Sequence, residues 1–184
     1  MAGEKFVFQL SEQEKDYLKN LAKLSIKSKF EQGVTFPEPP TEKLKEKFGA
    51  FVTLKKNDQL RGCIGHIVGD QPLWKTIINM AQSAAFQDPR FPPLEEDELS
   101  EIELEISILS PLQEVPDVKA IEPGRHGLVI KKGPYSGLLL PQVATEWGWD
   151  RETFLAQTCR KAGLAANAWK DSNTTLLWFE SVNF

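Results

Sequence analysis

Histidine and cysteine are scarce in this chain: His66 and His126 are the only imidazoles and Cys63 and Cys159 the only thiols. The two cysteines stand far apart and outside any Cys-x-x-Cys pattern. That excludes a disulfide framework and gives two free thiols, as expected in a reducing cytoplasm. The short paired spacings of structural zinc sites are missing too, so no metal site and no cofactor is expected. No apolar run approaches the roughly 20 residues of a membrane helix. Met1 to Leu10 lacks a basic region followed by an apolar core and a cleavage site, so the expected location is cytoplasmic, without membrane attachment. The phosphate-binding Gly-x-x-x-x-Gly-Lys-Ser/Thr loop, the dinucleotide fingerprint and the Gly-x-Ser-x-Gly elbow are all absent, which removes the common nucleotide and hydrolase readings.

A surplus of positive charge is lacking as well. The net charge is -4 over 184 residues, and broad binding to nucleic-acid backbones needs a basic face. A basic stretch (Lys43, Lys45, Lys47, Lys55, Lys56, Arg61) and an acidic block (Glu95, Glu96, Asp97, Glu98, Glu101, Glu103, Glu105) read as solvated faces. What is abundant is material for a core: 41% of residues are hydrophobic, with five Trp and eleven Phe. This length supports one sizeable core better than two independent domains.

Local patterns predict an α+β domain with a mixed, largely antiparallel sheet and flanking helices. Ser11-Glu12-Gln13-Glu14 has capping-box spacing and opens a helical segment over 11–33, with Gly33 as a left-handed stop. A hairpin over 50–68 turns at Asn57-Asp58. Asp70 and Pro72 open a helix over 70–86, and three prolines in Asp88 to Pro93 force the chain off the helical path. Strict alternation marks a strand over 101–109, with Ile102, Leu104, Ile106 and Ile108 on one face. A second hairpin is expected over 127–141, a helix capped by Asp150 over 150–162 and a last strand over 174–179. Trp147 and Trp149 are expected to cap the core, with an aromatic wall as the alternative.

The chemistry-bearing stretch is Leu60-Arg-Gly-Cys-Ile-Gly-His66. Glycine in a strand marks a bulge or the close approach of a ligand or backbone, so Gly62 and Gly65 are candidate contact positions. In a regular strand Arg61 and Cys63 share one face, while Leu60, Ile64 and His66 share the other. A bulge at Gly62 or Gly65 would bring His66 round to Cys63. Otherwise His126 is the better partner for a Cys63 dyad; the favoured reading of Cys63 is a packed or ligand-contacting thiol, with a nucleophile as the alternative. Cys159 reads as core. Arg61, Arg90 and Arg125 sit in rigid surroundings suited to bidentate binding of carboxylate or phosphate, although Asp88 offers Arg90 a structural partner.

The chain also resembles the AMMECR domain family, whose prokaryotic members are labelled system protein A of the AmmeMemoRadiSam group. The resemblance rests on Gly49-Ala-Phe-Val-Thr-Leu54, Leu60-Arg-Gly-Cys-Ile-Gly65, Ala84-Ala-Phe86, Asp88-Pro-Arg-Phe-Pro-Pro-Leu94, Glu103-Leu-Glu-Ile-Ser107, Gly124-Arg-His-Gly127, Leu139-Leu-Pro-Gln-Val143, Lys161-Ala-Gly-Leu164 and Trp169. It implies an α+β fold of two unequal subdomains with a cleft between them, and a link to a Memo-like protein and a radical SAM protein. It implies no established reaction; roles in transcription, replication, repair or translation have been suggested for relatives. The leading expectation is a binding or accessory module whose Arg61, Gly62, Cys63, Gly65, His66, Arg90, Arg125 and His126 face an anionic small molecule or an acidic partner segment. The alternatives are an enzyme using Cys63 as nucleophile or redox thiol, with His126 or His66 as base and Arg61 steadying the thiolate, and a nucleic-acid-associated adaptor.

Overall fold

The structure is a computed structural model and describes residues 9–184. The described chain divides into two compact units, one running to Leu109 and taking up Val182–Phe184, the other Ser110–Ser181. All strand pairs are antiparallel and helices flank them, an α+β fold.

In the first unit, α1 (Glu12–Lys27) starts at a complete capping box: Ser11 Oγ accepts from Glu14 N and the Glu14 carboxylate accepts from Ser11 N. The helix ends at Lys27, short of the expected stop. Gly33 does lie in the left-handed region, φ 78°, but after intervening turns. Strands β1 (Gly49–Lys56) and β2 (Gln59–His66) form a hairpin. Its Asn57-Asp58 turn has φ of 51° and 60°, the paired positive values of a type I′ turn, whose twist matches the flanking strands. Helix α2 (Leu73–Phe86) follows, with no side-chain cap from Asp70 or Pro72. After a 3-10 turn at Glu96–Ser100, β3 (Ile102–Leu109) pairs with the far side of β1. The backbone of Phe184 adds two hydrogen bonds to Ile106.

Period-two alternation sorts this sheet. Ala50, Val52 and Leu54 of β1 and Ile106 and Ile108 of β3 are buried in one cluster with Leu18, Ala22 and Ile26 of α1 and Leu73, Ile77 and Ala81 of α2. Phe51, Thr53 and Lys55 point the other way and pair with Ser107, Glu105 and Glu103. Both helices of the unit thus cover a single face.

In the second unit, the short β4 (Gln113–Glu114) precedes β5 (His126–Lys132) and β6 (Tyr135–Leu139), a hairpin. A short helix α3 (Pro141–Glu146), which the sequence patterns do not reveal, leads to α4 (Arg151–Lys161). Asp150 accepts from Thr153 N and caps α4. Strand β7 (Thr175–Asn183) pairs with both β4 and β5 and runs past the expected end at residue 179. Ile121, Leu128, Ala144, Phe154 and Leu155 form one buried cluster, with Trp149, Trp169 and Trp178 against it; Ile130, Cys159, Ala162 and Ala168 form another. Trp147, expected to cap the core, is 70% exposed. Among the described residues no helix is long and apolar enough to cross a membrane.

Candidate functional site

Of the three strands that carry the first unit's sheet, β2 is an edge. An edge strand presents unpaired amides and carbonyls unless something covers them. Here the cover is the Asp88-Pro-Arg-Phe segment. Asp88 Oδ2 accepts from Cys63 N at 2.9 Å, and Arg90 Nη2 donates to Cys63 O at 3.4 Å. Two side chains thereby imitate a neighbouring strand at one residue. Asp88 is buried and its carboxylate also accepts from Arg90 N, Nε and Nη2. Those guanidinium hydrogen bonds, with the Cys63 amide, hold the Asp88 carboxyl well below the usual carboxylate range against the cost of burial. Asp88 to Phe91 is a turn, Phe91 N donating to Asp88 O at 3.1 Å with Pro89 at its second position, and the Asp88 and Arg90 side chains reach the strand from it.

The register of β2 corrects the simple alternation expected for it. Gly62 opposes Leu54 and Leu60 opposes Lys55, so Arg61 is an extra residue, a bulge at neither Gly62 nor Gly65. The slip falls before Cys63 and leaves Cys63 to His66 regular: Cys63 opposes Thr53 and His66 opposes Ala50. His66 therefore keeps to the face opposite Cys63. Leu60 changes face instead, joining the Lys55 side, where it is exposed.

Arg61, at the bulge, is taken up by the loop that follows α2. Its Nε and Nη2 donate to Glu98 at 3.0 and 2.9 Å, and Nη1 donates to Pro92 O at 3.0 Å. The Arg61 side chain is 12% exposed. This bidentate contact brings the Glu98 carboxyl down to about 2. Lys56 also reaches Glu98 and Glu101, and Lys55 reaches Glu105 at 2.7 Å. Part of the basic stretch and part of the acidic block thus pair with each other.

Both glycines of the motif admit close neighbours. A Cβ on Gly62 would lie 2.1 Å from Ala84 O, so the end of α2 rests directly on the strand backbone. A Cβ on Gly65 would meet the Phe51 ring at 2.3 Å. Neither contact needs a ligand.

What faces outward is Cys63, half-buried. Its Sγ lies 3.1 Å from Thr53 Oγ1, and Glu105 follows across the sheet. Arg90 is 54% exposed, and its Nη1 has no hydrogen-bond partner among the described residues. A thiol, a hydroxyl and an unspent guanidinium edge are therefore held by rigid backbone at one place. The Asp88–Arg90 pair is the one the sequence suggests; the Thr53 contact and the hold of Asp88 on Cys63 are missed by motif reading, because they follow from strand register and loop return.

Arg125 and His126 lie in the second unit and are spent within it. Arg125 Nε donates to Glu180 at 2.9 Å and Nη1 to Glu122 at 2.7 Å. His126 is buried and stacks on Trp178, ring centroids 4.3 Å apart. Its Nδ1 accepts from Glu122 N at 3.0 Å, which places the proton of the neutral ring on Nε2. Burial first, and then the charge of Arg125, lower the His126 pKa. Cys159 is fully buried, and desolvation pushes its thiol up. Among the described residues no three His, Cys, Asp or Glu side chains are grouped to hold a metal ion.

The chain as a whole is similar to other proteins. A protein of Thermococcus onnurineus is 42% identical over 97% of this chain and 93% of its own. The protein NEQ441 of Nanoarchaeum equitans is 45% identical over 80% of this chain and 86% of its own. The crystal structure of the uncharacterised protein PH0010 from Pyrococcus horikoshii superposes with a TM-score of 0.84 at 39% identity, covering 96% of this chain and 93% of that one. The AMMECR1 family model matches residues 19–184, and the chain belongs to the AMMECR1 family.

Proposed function

We propose that this AMMECR1-family protein is a binding or accessory module that holds an anionic group, a small molecule's or an acidic segment's, at Cys63, Thr53 and Arg90. The observation that carries this reading is the Asp88–Arg90 clamp on the backbone of Cys63. It fixes a half-buried thiol beside a guanidinium whose Nη1 has no hydrogen-bond partner among the described residues. Recognition needs no more than that, whereas nucleophilic catalysis needs a base within reach of the thiol. His66 is on the other face of the strand and the Nδ1 of His126 is already an acceptor. Arg61 serves the site indirectly: tied to Glu98, it holds the loop that returns to Cys63. Work alongside a Memo-like and a radical SAM protein belongs to the same reading and is carried by the family resemblance.

The test is thermal unfolding with inorganic phosphate, citrate and AMP as probes, on the wild type, Arg90→Gln and Cys63→Ser. A stabilisation by at least one probe that Arg90→Gln abolishes supports the reading. No stabilisation by any of the three, or one that Arg90→Gln leaves intact, overturns it.

A further inference from the structure

Among the described residues, the first unit carries a cavity beside its core. Between the last turns of α1 and the start of β3, Ile26, Leu94, Leu99, Ile102 and Leu104 line a cavity of about 430 Å³. Lys23, Lys27 and Ser100 complete its wall. The volume falls in the range of about 300–1,000 Å³ typical of small-molecule sites. The lining is that of such a site too, apolar over most of its area with few polar groups.

The charged groups share one sign. Lys23 and Lys27 are a helical turn apart, so both ammonium groups come from the same side of α1. Lys23 is in no ion pair among the described residues, and Lys27 meets only Glu31, 3.1 Å away, in a pair with both partners half exposed. Such a pair is worth little and exchanges readily. Among the described residues no carboxylate lines the cavity itself. A polyanion is nonetheless a poor match: Glu31 stands beside Lys27, and Glu95, Glu96 and Asp97 are exposed on the loop that supplies Leu94 and Leu99. One negative charge on an apolar body suits both the floor and the rim.

We propose that this cavity binds a small apolar monocarboxylic acid, its hydrocarbon body against the five apolar side chains and its carboxylate toward Lys23 and Lys27. The site is separate from that of Cys63. Leu104 lies on the helix-covered face with Ile106, whereas Cys63 opposes Thr53 on the other face. The proposal goes beyond the reading of Cys63 and Arg90 and stands or falls independently of it.

The experiment is a methyl-detected NMR titration of the full chain with decanoate below its micelle concentration, with 1-decanol as the uncharged control. Saturable shifts are expected at the methyls of Ile26, Leu94, Leu99, Ile102 and Leu104. Lys23→Gln combined with Lys27→Gln weakens decanoate about fivefold, as for loss of an exposed charge contact, and leaves decanol unchanged. Ser100→Trp, at an exposed position on the wall, weakens both. Absence of shifts at these methyls, or a decanoate affinity that the double glutamine variant does not change, overturns the proposal.

Discussion

At Gly62 the absence of a side chain is a packing requirement imposed by α2, because Ala84 O occupies the space where a Cβ would go. Gly62→Ala is expected to destabilise by about 1–3 kcal/mol, the usual cost of overpacking, seen as a lower urea midpoint with unchanged slope. Asp88 is the other residue on which Cys63 depends. Asp88→Ala leaves the Cys63 amide without its acceptor and Arg90 without its partner, and should cost about 1.5–3 kcal/mol, the range for hydrogen bonds to charged groups. Amide exchange separates this from a general loosening: Cys63 N–H should speed up more than the β1 amides that pair with β3. Equal acceleration throughout would deny Asp88 the role of a clamp.

At the scale of elements, the loop between α2 and β3 acts as a third partner for the hairpin, gripping it at Cys63 through Asp88 and Arg90 and at Arg61 through Glu98. Arg61→Ala and Glu98→Ala should therefore be non-additive, with a coupling of about 0.5–3 kcal/mol in a double-mutant cycle of chemical denaturation. The alternation of Ile102 to Ile108, the Ser11–Glu14 box and the Asn57-Asp58 turn are all legible in the sequence, since each follows from a few adjacent residues. The bulge at Arg61 is not. Two glycines in the motif suggest a bulge on themselves, yet the residue that slips is the one held from outside by Glu98, Pro92 and Pro93. Likewise, Arg61 as a ligand-facing guanidinium reads well from its neighbours, whereas its actual partner lies across a loop return that no local pattern encodes. Short α3 gave no periodic signal, and the exposure of Trp147 depends on how the α3–α4 connection leaves the core.

For the whole molecule, charge pairing implies a definite pH profile. His126 has a pKa below its ordinary 6.5 because the folded chain buries it. The unfolded chain therefore binds the extra proton first as pH falls, so this contribution to stability is complete above 6.5 and is lost as pH drops through the lowered folded value. Glu98 and Asp88 are also lowered, from 4.5 and 3.8, and their contributions are present above those values and disappear as pH falls through the folded ones. Unfolding free energy should hold level from pH 8 to about 6.5 and then decline in two stages. His126→Phe should remove the first stage and leave the second. The most direct test of the Cys63 site is iodoacetamide labelling of the native protein, read by mass spectrometry with and without whichever probe stabilises the fold. Cys63 alone should be alkylated, Cys159 being buried, and the ligand should slow that alkylation severalfold in the wild type and not in Arg90→Gln. An alkylation rate at Cys63 indifferent to the bound ligand would contradict the account.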